Sequence, residues 1–173
     1  LDKGYHGTDG ELNVSFAQGY KTPFSTAFIK ACQQVGISNN PDYNGEKQVG
    51  ASFFQFNIKN GKRDSAAVAF LKPALKRPNL TAITKAQVAK IIIENNKAVG
   101  VEYFDKNKNK QTVHADKEII VSAGAFQSPQ LLMLSGIGDA SELNEHGIEC
   151  KKNLKGVGKN LQDHLFINVS AKS

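Results

Sequence analysis

Apolar and polar positions along this chain follow short runs of two different periods, so the pattern predicts several small elements in place of one long repeat. GELNVSFA alternates enough for a short strand over residues 12–16, and GYKTP then turns the chain. In STAFIKACQQVG the apolar residues Phe28, Ala31, Cys32 and Val35 keep helical spacing, and Gly36 supplies a stop. SNNPDYNGE is turn chemistry, and VGASFFQFNIKNGKR reads as a strand over residues 53–58 followed by a turn. SAAVAFLKPALKRP predicts a helix broken or ended near Pro73, because proline has no N–H to continue the ladder. From Asn79 the pattern becomes a meander of strands, NLTAITKA, QVAKIIIENN, KAVGVEYFDKNKNK and QTVHADKEIIVSAG, joined by short polar turns.

The next stretch, VSAGAFQSPQLLMLSGIG, is apolar but punctuated by small residues. IIVSAGA predicts a buried strand that ends where side chains would obstruct something. Ser128 then has the chemistry of an N-cap and Pro129 that of a first helical residue. Leu131, Leu132, Met133 and Leu134 would form a brief apolar helix that Gly136 or Gly138 closes with a positive φ. A last strand is expected over residues 165–169, without a local partner. The class implied is mixed α and β, a sheet with a packed meander.

Composition narrows the function classes. The chain has 173 residues, 40% of them hydrophobic, enough to bury one core or to contribute pieces to two. No apolar run approaches the ~18 residues of a membrane span, and LDKGYHGTDG lacks a basic-then-apolar leader pattern. The expected location is cytoplasmic or membrane-peripheral. A net charge of +6 raises a polyanion-binding module as an alternative, but the charges are spread out, and the densest run, DKNKNK, sits in a predicted turn. A nucleic-acid partner is therefore not expected. Cys32 and Cys150 are too far apart for a close-spaced metal motif, so buried free thiols and a reducing compartment are expected.

The usual chemical motifs are missing. No G-x-G-x-x-G opens a helix, no G-x-x-x-x-G-K-[ST] occurs, and Ser128 is not framed as a G-x-S-x-G nucleophile. His146 falls at an expected helix end, where a structural role is favoured. Asp163 and His164 are adjacent and, in an extended segment, point to opposite sides. His6 and His114 have no acidic or cysteine neighbours at ligand spacing, so no metal site is expected.

The run from Gly124 to Gly138 resembles the second signature of the glucose-methanol-choline (GMC) family of FAD-dependent oxidoreductases: Gly124 and Ala125, Ser128 and Pro129, Leu131 and Leu132, then Ser135, Gly136, Ile137 and Gly138. YHGTDGELNV, NGKRDSAAVAFLKPALKRPNL, AVGVEY and LKGVGKNLQDH resemble the same family in order, with a lean toward the choline and alcohol dehydrogenase branch. The resemblance implies a partial FAD/NAD(P)-binding, Rossmann-like domain with a β-meander over residues 79–164. Residues 1–78 would be mainly substrate-domain and connecting segments, and residues 165–173 the start of an antiparallel substrate-domain sheet. It implies oxidation of choline or another small-molecule alcohol by hydride transfer to FAD, the cofactor carrying the redox chemistry.

In the family, the glycine loop for the dinucleotide precedes the matched region and the catalytic histidine follows it. The resemblance therefore implies an internal segment with no catalytic residue of its own, inactive and poorly flavin-binding when isolated. Self-association through exposed surfaces of such a segment and a non-catalytic interaction role of the same fold stay open. For the cofactor, the resemblance points to Val88, whose backbone would meet the adenine, and to Ser122, Ala123 and Gly124 beneath the nucleotide. Asn160, Asp163 and His164 match N-L-x-D-H at the cofactor domain's edge. Close packing of helix on sheet is an equal explanation for Gly124.

Overall fold

The computed structural model describes residues 4–16 and 21–170, which divide into two units, Leu1–Ala82 and Ile83–Ser173. Ala17 at the end of the first expected strand, and Gly19 and Tyr20 at the start of the expected GYKTP turn, lie outside the described residues.

In the first unit, β1 (Ser15–Phe16) pairs antiparallel with β2 (Gln55–Phe56), and β3 (Ile58–Lys59) forms a tight hairpin with β4 (Lys62–Arg63). The expected strands over residues 12–16 and 53–58 are thus reduced to two-residue pairings. Polar side chains complete the work of the missing ladder. Asn13 N–H donates to the Asp64 carboxylate at 2.8 Å, and Ser15 Oγ donates to the Ile58 carbonyl at 2.9 Å. Between β1 and β2 runs α1 (Pro23–Gln34), which starts earlier than the apolar spacing predicts because Thr22 caps it and Pro23 takes the first helical position. Gly36, at φ +86°, ends it as expected. Among the described residues two of its expected apolar positions stay open, Phe28 at 68% and the C-cap Val35 at 76% exposed, while Ile29 and Cys32 are half-buried.

Past β4, Ala67–Leu71 forms a π-helical turn that runs into the one-turn helix α2 (Lys72–Ala74). Lys72 N–H bonds Ala67 O, five residues back, so the ladder slips just ahead of Pro73, and the helix ends one residue after it, near Pro73 as expected.

The second unit is built on a meander: β5 (Gln87–Glu94), β6 (Lys97–Phe104) and β7 (Lys110–His114), antiparallel and in that order. Asn95 and Asn96 both take positive φ, the backbone that a two-residue hairpin turn requires. The DKNKNK run is the next turn, where the Asp105 carboxylate accepts the N–H groups of Asn107 (2.8 Å) and Asn109 (2.9 Å). Those backbone bonds, Asn109 first, hold the Asp105 pKa below the usual carboxylate value. NLTAITKA, expected as the first meander strand, pairs with no strand among the described residues. The meander begins at Gln87.

Two further expectations fail for one physical reason. Residues 119–122 form no strand, and residues 165–169 form none, because a strand needs a ladder partner and none of the described strands lies beside either run. Ile120 is 79% and Ile167 88% exposed. Ile119 and Val121, by contrast, face a groove of about 500 Å³ shared with Ile91, Ile93, Leu132 and Ile137, so the run keeps the alternation of a strand without its hydrogen bonds.

The helix α3 (Gly124–Leu134) starts before Ser128, so neither Ser128 nor Pro129 occupies the expected position. Gly124, at φ +90°, turns the chain into the helix. Ser128 acts from inside it, its Oγ accepting the Ala123 N–H at 3.0 Å. Gly136, at φ +87°, closes α3, and its N–H bonds Met133 O. The chain then makes β8 (Ile137–Gly138), α4 (Ala140–Glu145) and β9 (Lys152–Asn153), with β8 and β9 parallel. Leu143 of α4 is 1% exposed and packs against the face of Gly138. His146 caps the end of α4 through its backbone N–H, the structural place expected for it. Cys32 and Cys150 are free but only half-buried, a correction to the expected burial.

Candidate functional site

The end of α3 is fastened to the edge of the meander by a single hydroxyl. Ser135, 3% exposed, accepts the Ile91 N–H at 2.8 Å and donates to Leu131 O at 2.6 Å. With that end fixed, α3 lies beside β5, and the two line an open cavity of about 350 Å³ formed by Ala86, Gln87, Val88, Ala123, Gln127, Gln130, Leu131 and Leu134. Two of the residues singled out in the sequence, Val88 and Ala123, meet in this cavity, although 35 residues separate them.

The rest of the expected set is distributed differently. Ser122 is exposed in the unpaired run before α3 and does not line the cavity. Gly124 opens the helix, and a Cβ added there would meet no atom of the described residues within 4 Å. Close packing of helix on sheet therefore does not explain this glycine; its φ of +90° does, and the space over it is open. Asn160 adopts φ +56° on the surface. Its neighbours Lys159 and Leu161 line a second groove, of about 730 Å³, together with Phe126, Pro129, Met133 and His146. Lys159 is tied to Glu142, whose hydrogen bond raises the ammonium pKa above its usual value. Asp163 and His164 are exposed, and among the described residues the hydrogen bond between them is local, His164 N–H donating to the Asp163 carboxylate at 2.7 Å. They do not reach the cavity at Val88.

The lining of that cavity decides what it can do. None of its residues is titratable, so it offers no acid, base or nucleophile. It offers instead an apolar floor from Val88, Leu131 and Leu134 and the carboxamides of Gln87, Gln127 and Gln130, each able to donate and to accept. Such a lining suits a flat heteroaromatic ring with hydrogen-bonding edges. The glutamines escaped sequence reasoning because a helix begun at Pro129 leaves Gln127 outside it. Their spacing of three, on a helix begun at Gly124, puts Gln127 and Gln130 on one face.

Elsewhere, His6 does find an acid. Its Nε2 lies 2.8 and 2.9 Å from the two oxygens of Asp42, a neighbour 36 residues away that local spacing could not reveal. Among the described residues no cluster of His, Cys, Asp or Glu is placed to hold a metal ion, and no helix is long and apolar enough to cross a membrane.

The family model for GMC oxidoreductases matches residues 2–166. The chain belongs to the GMC oxidoreductase family. Among GMC relatives it is 50% identical over 166 residues to an alcohol dehydrogenase [acceptor] of Pseudomonas putida, covering 95% of this chain and 30% of that protein. It is 48% identical over 174 residues to an oxygen-dependent choline dehydrogenase of Rhizobium etli, covering 99% of this chain and 31% of that protein. Among solved structures, an FAD-dependent oxidoreductase from Chaetomium thermophilum superimposes with a TM-score of 0.82 at 30% identity, over 94% of this chain and 28% of that one. The mixed α/β architecture is that of the GMC cofactor-binding region, and the chain spans about 30% of the length of the relatives it matches.

Proposed function

We propose that this chain forms part of an FAD-dependent enzyme that oxidises the CH–OH group of a small alcohol, with choline among the candidate substrates, and that its second unit contributes to the adenine end of the flavin site. The observation that carries this reading is the cavity between β5 and α3, where Val88 and Ala123 meet a lining with no titratable group. Flavin, when bound, supplies the hydride acceptor, which amino-acid side chains lack. The residues of this chain bind and orient. The Val88 backbone offers an N–H and a C=O at fixed separation to a base edge. Ala123 is small, and Gly124 turns the chain away with its open face uncovered, so neither blocks approach of a nucleotide. Ser122, Asn160, Asp163 and His164 are proposed to border the site as the family resemblance implies. The first unit is proposed to belong with the substrate-binding part.

The fit of cavity to cofactor is chemical: its volume exceeds that of a purine ring, and its carboxamides pair with ring nitrogens and an exocyclic amine without introducing charge. Alone, the chain is expected to hold FAD poorly, because it has no glycine-rich loop opening a helix toward the pyrophosphate. The test is flavin content of the full-length protein after gel filtration, compared with Gly124→Val. Wild type should carry visible flavin absorbance and the variant clearly less, since a branched residue is strained at φ +90°. Full-length protein that retains no flavin would overturn the reading.

A further inference from the structure

The cavity holds more recognition chemistry than one backbone contact uses. Adenine presents two hydrogen-bonding edges that share the N6 amine: N1 with N6, and N7 with N6. A main-chain N–H and C=O at Val88 match the first. The second edge calls for one donor to N7 and one acceptor for the other N6 hydrogen, the pair that a glutamine or asparagine carboxamide supplies.

Three carboxamides line this cavity, and they are not equivalent. Gln87 is adjacent to Val88 on β5, and its Nε2 reaches the Val88 carbonyl at 3.5 Å, so that carbonyl is accessible to an N–H donor at the site. Gln130 lines the neighbouring groove as well, on the ridge between the two. Gln127 lines this cavity and not the neighbouring groove, one turn after the N-cap Ala123, and its side chain has no hydrogen-bond partner among the described residues. Resting on the flavin reading above, we propose that Gln127 is the base-reading residue of this site: its carboxamide donates to N7 and accepts from N6 of the adenine that Val88 holds by the opposite edge.

The test uses the full-length protein stripped of flavin and titrated with FAD and with 7-deaza-FAD, in which a C–H replaces the N7 acceptor and nothing else changes. Wild type should bind the deaza analogue about 3- to 10-fold more weakly, the weight of one neutral hydrogen bond. In Gln127→Leu, and in the same-sized Gln127→Glu, whose carboxylate cannot donate to N7, that preference should fall to about unity. The wild-type comparison needs no substitution, so a variant that fails to fold does not rescue the proposal. Equal wild-type affinity for the two dinucleotides overturns the role of Gln127 and leaves the flavin site standing, whereas failure to bind FAD at all overturns the flavin reading itself. A preference abolished by Gln130→Leu and kept by Gln127→Leu overturns the assignment to Gln127.

Discussion

Residues 91–93 and residues 119–121 are nearly the same peptide, Ile-Ile-Ile and Ile-Ile-Val, and both line one groove. The first sits in an eight-residue strand, with Ile91 6% exposed and its ladder formed against β6. The second forms no strand with any of the described residues, and Ile120 is 79% exposed. The β-branched residues that favour a strand are common to both, so side-chain propensity does not separate them. What separates them is a backbone partner across the sheet.

If pairing is what orders the meander, the most damaging change should be one that forces its strands apart. Gly100 sits on β6 where an added Cβ would lie 2.6 Å from Val113 O, so Gly100→Val should destabilise the protein by on the order of 3 kcal/mol, measured as a fall in thermal midpoint. An unchanged midpoint would mean that β7 does not stay paired in solution. Next is Ser135→Ala, which leaves the Ile91 N–H buried without its acceptor at a cost of about 1–3 kcal/mol. Hydrogen exchange at Ile91 should accelerate in that variant, and a protected amide would show that the hydroxyl is dispensable.

Acid should act more gently, at the turn between β6 and β7. The Asp105 pKa is held below the ordinary carboxylate value by backbone hydrogen bonds. Its contribution is therefore complete above the unfolded pKa and disappears only as pH falls through the lower, folded value. Corrected for the intrinsic pH dependence of amide exchange, the protection of the Asn107 and Asn109 amides should hold at pH 5 and fall only as acid protonates Asp105; loss already at pH 5 would contradict the hydrogen-bond assignment. The smallest effect belongs to the unpaired run. Ile120→Thr should change stability by no more than about 0.5 kcal/mol, and a larger loss would reveal a partner for residues 119–121 in the full-length protein.

The same distinction explains what could be read from the chain. The meander was legible from Gln87 onward because its strands are sequential and joined by short turns, so each brings its own partner. NLTAITKA, residues 119–122 and residues 165–169 carried the same alternation or branching without that partner, and the pattern alone could not tell them apart. The start of α3 is not legible in the sequence because Pro129 is a stronger local signal than Gly124, whose positive φ is what begins the helix. At the candidate site, Val88 and Ala123 followed from the family resemblance. Gln127 did not, since its place depends on where the helix begins and on how α3 lies beside β5. Nor could local spacing disclose the pairing of His6 with Asp42.

Beyond fastening α3, the Ser135 hydroxyl alters how this sheet can meet other chains. A three-stranded meander has two open sides, and an unpaired side is a template on which a foreign strand can grow. On the β5 side the Ile91 N–H is already taken by a hydroxyl and the helix lies over the approach, so strand addition there would first have to dislodge α3. Among the described residues the β7 side has no such cover: all five of its residues are exposed, and its protection is charge from Lys106 and Lys108 of the preceding turn, since Lys110 is paired with Glu102 at 2.6 Å. Aggregation of this protein should therefore be one-sided, slow at low salt, where like charges repel, and faster as salt screens the lysines of that turn.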